Sequence, residues 1–209
     1  MLYGLSMALM IRARLGLDPW DVFHQGVAER TGLSFGTVVI VIGAAVLLLW
    51  IPLRQRPGVG TLSNVFVIGL AVDAALWCLP EASSPWASSP FARGALLLTG
   101  VVANGIATGT YIGARLGPGP RDGLMTGLAA KYPKVSVRLV RTGIEFTVLG
   151  VGWLLGGSIG IATVLYAVSI GPLTQLFLPL FSVPEPAEVP EPAEVPEPAE
   201  VPEPEPAAA

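Results

Sequence analysis

Two copies of one sequence pattern lie 101 residues apart, and this repetition limits the possible folds most. Residues 14–21 read RLGLDPWD, and residues 115–122 read RLGPGPRD. The correspondence resumes, one residue further apart, between residues 58–61 and 160–163. Each copy contains three hydrophobic segments, and an odd number of membrane spans turns the second copy upside down relative to the first. Inverted repeats of this kind are typical of alternating-access transporters.

The composition indicates a membrane protein. The mean hydropathy is +0.65, and 52% of the residues are hydrophobic against 13% that are charged. This balance is too apolar for a soluble domain. The formal net charge of −3 reflects an acidic tail, because the body before Val183 is net basic. Its basic residues lie at the ends of hydrophobic segments, so nucleic acid is not an expected partner. The single Cys78 excludes an internal disulfide.

Five apolar segments have about the 20 residues that a bilayer core requires. They are residues 36–53, 61–79, 94–112, 137–155 and 160–181. A sixth, at the start, is short, since the helix before Arg12 would cover only about 16 Å. We therefore expect that the first helix is truncated at its start. The domain assignment is membrane repeat 1 at 1–80, a connecting loop at 81–93 and membrane repeat 2 at 94–182.

Both ends of the chain are predicted to be cytoplasmic. In a six-span arrangement, lysine and arginine are more frequent in the segments that share a side with the two termini, which is the bias of cytoplasmic loops. Residues 183–209 form a Pro/Glu-rich tail that repeats the hexamer VPEPAE. Proline removes backbone donors and glutamate side chains repel one another, so we predict a disordered, extended tail.

Two short segments at matching positions of the repeats are the first candidates for a functional site. Asp18 can cap a helix that begins at Pro19, and Asp21 then lies near the free N–H groups of the first turn. The second copy repeats this pattern with Gly119 as the cap and Asp122 in the first turn. We expect short re-entrant or interfacial helices, and such pairs mark binding sites in transporters. Alternatively, the two carboxylates only stabilise helix starts.

Charged residues inside the apolar segments are the second set of candidates. Asp73 lies in the segment 61–79, while Arg141 and Glu145 lie one helical turn apart in the segment 137–155. A charge at mid-bilayer costs at least about 2.5–3.5 kcal/mol on insertion scales, so such residues usually line a cavity or pair. The candidate solute or ion site thus comprises Asp21, Asp122, Asp73, Glu145 and Arg141. The alternative for the arginine and glutamate is a structural ion pair.

Motifs of catalysis and of metal or nucleotide binding do not occur in the sequence. His24, the only histidine, follows Asp21 by three residues, but neither GxSxG nor HExxH nor GxxxxGK[ST] is present. We therefore expect no enzymatic activity, no cofactor and no metal.

Several motifs resemble one bacterial family. Residues 16–23 (GLDPWDVF), 58–61 (GVGT), 117–125 (GPGPRDGLM) and 137–145 (VRLVRTGIE) are similar to those of the YczE branch of the YczE/YyaS/YitT membrane proteins. The similarity covers about residues 1–180 and excludes the tail, and the short first helix departs from it. The resemblance implies an integral, multi-pass protein of the bacterial inner membrane and names no substrate.

Together these patterns predict an all-α, polytopic transmembrane bundle of two inverted three-helix repeats with short re-entrant or interfacial helices. The first functional hypothesis is a secondary transporter or permease for a small solute. The second is a non-transporting membrane scaffold or an accessory factor for an exported product. The expected partners are the lipid bilayer and an unidentified small-molecule solute, with a homodimer left open.

Overall fold

The computed structural model describes residues 1–81, 84 and 89–182, which form eight helices and contain no strand. The helices are α1 (Leu2–Ala13), α2 (Pro19–Thr31), α3 (Phe35–Trp50), α4 (Val59–Cys78), α5 (Pro90–Gly113), α6 (Pro120–Lys131), α7 (Val137–Leu154) and α8 (Ile161–Phe181). The all-α prediction is confirmed for these residues. The predicted tail and part of the predicted connecting loop lie outside them, and α5 begins inside that loop.

Three helices, α4, α5 and α8, are long and apolar enough to cross a membrane. The pair α2 and α3, which is bent by 113°, would make a fourth span if it is counted as one. Large apolar side chains such as Phe66, Trp77 and Phe91 are exposed on these helices or beside them. An apolar outer surface of this kind fits a lipid environment. The predicted arrangement of six spans stays a prediction.

The short helices α2 and α6 begin where the sequence predicts. The Asp18 carboxylate caps α2 and accepts hydrogen bonds from the N–H groups of Trp20 at 2.9 Å and Asp21 at 3.0 Å. A proline occupies the first position of each helix, where its missing N–H is not needed. Gly32 ends α2 in a left-handed conformation with φ of 71°.

The repeated RLG sequence forms the same turn in both halves of the chain. Arg14 and Arg115 have left-handed backbones, with φ of 53° and 51°. Two residues later, Gly16 and Gly117 have φ of 106° and 115°, a region that side chains rarely adopt. The identical glycines are therefore explained by backbone conformation.

Each turn also contacts the last helix of the opposite half. The Leu15 carbonyl accepts a hydrogen bond from the Ala162 N–H at 2.9 Å, and the Leu116 carbonyl accepts one from the Gly60 N–H at 3.0 Å. Ala162 and Gly60 lie at matching positions of the repeats. The same backbone hydrogen bond is therefore made twice, once from each half to the other.

The helices pack into one bundle that mixes the two halves. α1 contacts α4 and α5, α5 packs on α8, α2 packs on α7, and α3 packs on α4 and α6. One buried apolar cluster draws on α1, α2, α5 and α8, with Met10, Val22, Val101 and Ala162 among its members. Because α2 packs on α7 and α6 packs on α3, each short helix contacts a helix of the other half.

Candidate functional site

A cavity of about 140 Å³ lies between the two halves, and every one of the eight helices contributes to its wall. The N-terminal turns of α2 and α6 meet there, which brings Trp20 and Arg121 together. The ionisable side chains of the wall are Tyr3, Asp18, His24, Tyr111, Arg121, Asp122, Arg141, Glu145 and Tyr166. The sequence predicted three of these as site residues: Asp122, Arg141 and Glu145.

Positions that match between the repeats line the same cavity. Seven such pairs contribute to its wall, each 101 or 102 residues apart. They are 18 with 119, 19 with 120, 20 with 121, 24 with 125, 39 with 141, 43 with 145 and 64 with 166. Only the proline pair is identical, so a repeated backbone surrounds a cavity whose two sides differ chemically.

The Arg121 guanidinium lies near the centre of this arrangement. It is stacked 5.0 Å from the centroid of the Trp20 ring, within the range of a cation–π contact. Its nitrogens lie 3.6 Å from Asp21 Oδ1 and 4.0 Å from Asp18 Oδ1. Both distances are short enough for an ion pair but too long for a hydrogen bond. Arg121 is therefore held by charge and stacking, with its N–H donors still available.

Asp18 and Asp21 are fully enclosed carboxylates, with 2% and 0% of their surface exposed. His24 Nδ1 lies 3.2 Å from Asp21 Oδ1. The second oxygen of each carboxylate has no hydrogen-bond partner among the described residues. Asp18 precedes α2, and its pKa is raised to about 7. The main cause is burial, which disfavours the charged carboxylate, and the nearby charge of Asp21 adds to it. The positive charge of Arg121 opposes this rise.

Asp122 belongs to a hydrogen-bonded group at the start of α6. Its Oδ2 accepts a hydrogen bond from the Tyr111 hydroxyl, and that hydroxyl accepts one from the Gly119 N–H. Gly119 has no side chain with which to cap α6, and the tyrosine hydroxyl binds only the N–H of Gly119 itself, whereas the Asp18 carboxylate accepts from two N–H groups inside the first turn of α2. The other Asp122 oxygen has no hydrogen-bond partner among the described residues.

Arg141 and Glu145 form the ion pair that their spacing predicted. Arg141 Nε donates a hydrogen bond of 2.9 Å to Glu145 Oε1. The two side chains are 56% and 33% exposed, whereas Asp18, Asp21 and His24 are almost completely buried. The pair therefore lies at an open side of the cavity, whereas Asp18 belongs to a closed part of its wall.

The structure places Asp73 away from these residues. Its carboxylate accepts hydrogen bonds from the Gly36 N–H at 2.7 Å and the Ser34 hydroxyl at 2.5 Å. Both donors lie at the N terminus of α3, and Asp73 is not part of the cavity wall. Of the five predicted residues, Asp122, Arg141 and Glu145 line the cavity, Asp21 lies directly behind Arg121, and Asp73 is elsewhere.

Sequence reasoning missed Trp20, Arg121 and the tyrosines Tyr3, Tyr111 and Tyr166. The repeat offered one usable signal, because Trp20 and Arg121 occupy matching positions directly before the two predicted aspartates. Nothing in the local sequence links the tyrosines to the site, since they come from three long or apolar helices that meet only through packing.

The long apolar helices define a helical integral membrane protein. The chain belongs to the family of unknown function DUF6198, which it matches over residues 1–179. It is 38% identical to an uncharacterized protein of Haemophilus influenzae over 179 residues, which cover 86% of this chain and 79% of that protein.

Two Bacillus subtilis proteins are also similar, which confirms the resemblance found in the sequence. The uncharacterized membrane protein YczE is 35% identical over 178 residues, covering 85% of this chain and 80% of that protein. The uncharacterized protein YyaS is 25% identical over 181 residues, covering 86% and 89%. No solved structure significantly matches the chain.

Proposed function

We propose that this protein is a secondary transporter or permease for a small solute and has no enzymatic activity. The observation that supports this most is the cavity between the repeats, whose wall is built from matching positions of both halves. Transporters with internal repeats bind their substrate at the repeat interface, beside short or broken helices. α2 and α6 are helices of this kind, and their N-terminal turns meet at the cavity.

The proposal includes an inverted arrangement of the two repeats in the bacterial inner membrane. The reciprocal hydrogen bonds of Leu15 with Ala162 and of Leu116 with Gly60 support a twofold relation between the halves. The distribution of lysine and arginine supports cytoplasmic amino and carboxyl ends. In this orientation the open side of the cavity, with Arg141 and Glu145, faces the cytoplasm.

Alternating access then follows from the difference between the two sides. The side with Arg141 and Glu145 is open, and the side with Asp18 is closed. A rocking motion of one repeat against the other would exchange these roles around a site that stays in place. In the proposed cycle, the arrangement with Arg141 and Glu145 on the open side would be the inward-open state.

Uptake into proteoliposomes tests the proposal. A panel of small amines, amino acids, carboxylates and sugars is first screened for compounds that raise the melting temperature of the purified full chain. Each stabilising compound is then assayed for protein-dependent uptake and counterflow. At least one compound should accumulate above protein-free liposomes. Binding without uptake or counterflow for every compound would instead indicate a non-transporting membrane component.

A matched pair of glycine substitutions links uptake to the cavity. Gly43 and Val65 both line the cavity, and a Cβ at Gly43 would lie 3.3 Å from two Val65 methyl carbons, so Gly43→Leu must displace Val65 or narrow the cavity. A Cβ at Gly171 would meet nothing within 4 Å, so Gly171→Leu adds the same volume outside. Uptake should fall in the first variant and persist in the second, with melting curves confirming that both fold. Equal uptake by both would contradict a route through this cavity.

A further inference from the structure

The cavity contains more acidic than basic side chains. Asp18, Asp122 and Glu145 line it and Asp21 contacts Arg121, whereas only two arginines are present on its wall. Glu145 pairs with Arg141, Asp18 and Asp21 share the single charge of Arg121, and Asp122 forms no ion pair among the described residues. A site with this excess attracts positive charge and repels anions.

Unused hydrogen-bonding atoms lie beside this excess charge. Asp18 Oδ2, Asp21 Oδ2 and Trp20 Nε1 are buried without a hydrogen-bond partner among the described residues. Buried polar atoms without partners are destabilising and rare in folded proteins. Two of the three are carboxylate oxygens, which accept hydrogen bonds, and the group that would satisfy them is a donor with a positive charge.

The cavity also has the aromatic wall on which cations bind. Trp20, Tyr3, Tyr111 and Tyr166 contribute to it, and the Trp20 face already holds a cation, the Arg121 guanidinium. Tryptophan is the best of the aromatic side chains for this contact. The Arg121 ion pairs of 3.6 and 4.0 Å are too long to be hydrogen bonds, so this cation can be displaced.

We propose that the site recognises a small organic cation that carries an ammonium group next to an apolar part, an inference that rests on the proposed transport function. Asp122 binds the ammonium first, since one of its oxygens is free. The apolar part lies against Trp20 and the tyrosines. Arg121 occupies the place of the cation in the empty site and moves aside on binding, which opens the unpaired oxygens of Asp18 and Asp21.

The volume of the cavity limits the size of the solute. A cavity of about 150 Å³ holds a benzene-sized molecule, and the cavity here measures about 140 Å³. The chemical class is therefore a small aryl or alkyl amine rather than a peptide or a lipid.

Binding of three compounds of nearly equal shape tests the charge preference. Benzylammonium, benzyl alcohol and benzoate each join one polar group to a benzene ring, with charges of plus one, zero and minus one. Their affinity for the detergent-purified full chain is measured by calorimetry at constant ionic strength. Benzylammonium should bind at least about tenfold more tightly than benzyl alcohol, and benzoate most weakly. Equal affinities, or a preference for benzoate, would overturn the inference.

Three substitutions separate the roles of the residues. Asp122→Asn keeps the size and should weaken benzylammonium binding about tenfold. Glu29→Gln makes the matched change at an exposed glutamate outside the cavity and should leave binding unchanged. Arg121→Gln removes the competing cation and should tighten binding. Weaker binding in Arg121→Gln would mean that the arginine binds an acidic group of the solute, which contradicts our assignment.

Transport is measured separately, so the two proposals fail in different ways. If benzylammonium binds with the expected charge preference but no compound of the wider panel is taken up, the cation site stands and the transport function fails. If another compound of the panel is taken up while benzylammonium neither binds nor competes, transport stands and the cation class is wrong.

Discussion

Replacing Asp73 by asparagine should destabilise the protein and leave ligand binding intact. Its carboxylate joins α4 to the start of α3 through the Gly36 N–H and the Ser34 hydroxyl. An asparagine of the same size keeps one acceptor oxygen but presents an NH₂ group to the other donor. One of two charge-assisted hydrogen bonds is therefore lost, together with a negative charge at a helix N terminus.

The expected cost is about 2 kcal/mol. A hydrogen bond to a charged group contributes about 1.5–3 kcal/mol, and Asp73 is only partly buried, so the lower end applies. A carboxylate near a helix N terminus adds about 0.3–1 kcal/mol. The rotatable Ser34 hydroxyl can accept from the new amide and recover part of the loss.

The free energy of unfolding is measured by titrating the detergent-purified variant with sodium dodecyl sulfate and following helix content. Glu29→Gln, which makes the same chemical change at an exposed site, should stay within about 0.5 kcal/mol of the original chain. Benzylammonium affinity of Asp73→Asn should be unchanged. Unaltered stability together with lost binding would refute this reasoning and return Asp73 to the functional site.

Three further predictions concern backbone, topology and pH. Gly16→Ala should cost at least about 1–3 kcal/mol in the same unfolding assay, because φ is 106° and a Cβ would lie 2.5 Å from Gly160 N; unchanged stability would contradict the turn. Single cysteines at Glu29 and Lys131, in a cysteine-free background, should react with impermeant maleimide from opposite membrane sides; same-side labelling would end the inverted-repeat proposal. Benzylammonium affinity should fall as the pH drops below about 7, since the Asp18 carboxyl has a pKa raised to about 7 and loses its charge on protonation. An affinity that stays constant from pH 8 to 6 would exclude Asp18 from cation binding.

Much of the local structure could be predicted from the sequence, because it depends on neighbouring residues. The DPWD pattern places a cap, a proline and a carboxylate in the first turn of α2, and each contact lies within three residues. The Arg141–Glu145 pair is one turn long and was predicted for the same reason. Long apolar segments predict that a helix is present, although α5 begins four residues before its predicted start.

The partners of buried charges could not be predicted, because they lie far apart in the chain. Asp73 has no partner on its own helix, and its two donors are more than thirty residues away. Arg121 stacks on Trp20 and pairs with Asp21, although both partners lie in the other half of the chain. A hydrophobic pattern indicates which face of a helix is buried, but it does not indicate which residues of other helices pack against that face.

The sequence by itself therefore determined a helical membrane protein with two related halves and two short helices that begin at matching places. Only the tertiary structure decided that these helices meet at one cavity and that matching positions of unlike charge line its wall. The physical reason is that helix formation and capping use contacts within a few residues. The electrostatics of a cavity depend on which side chains packing brings within a few ångströms.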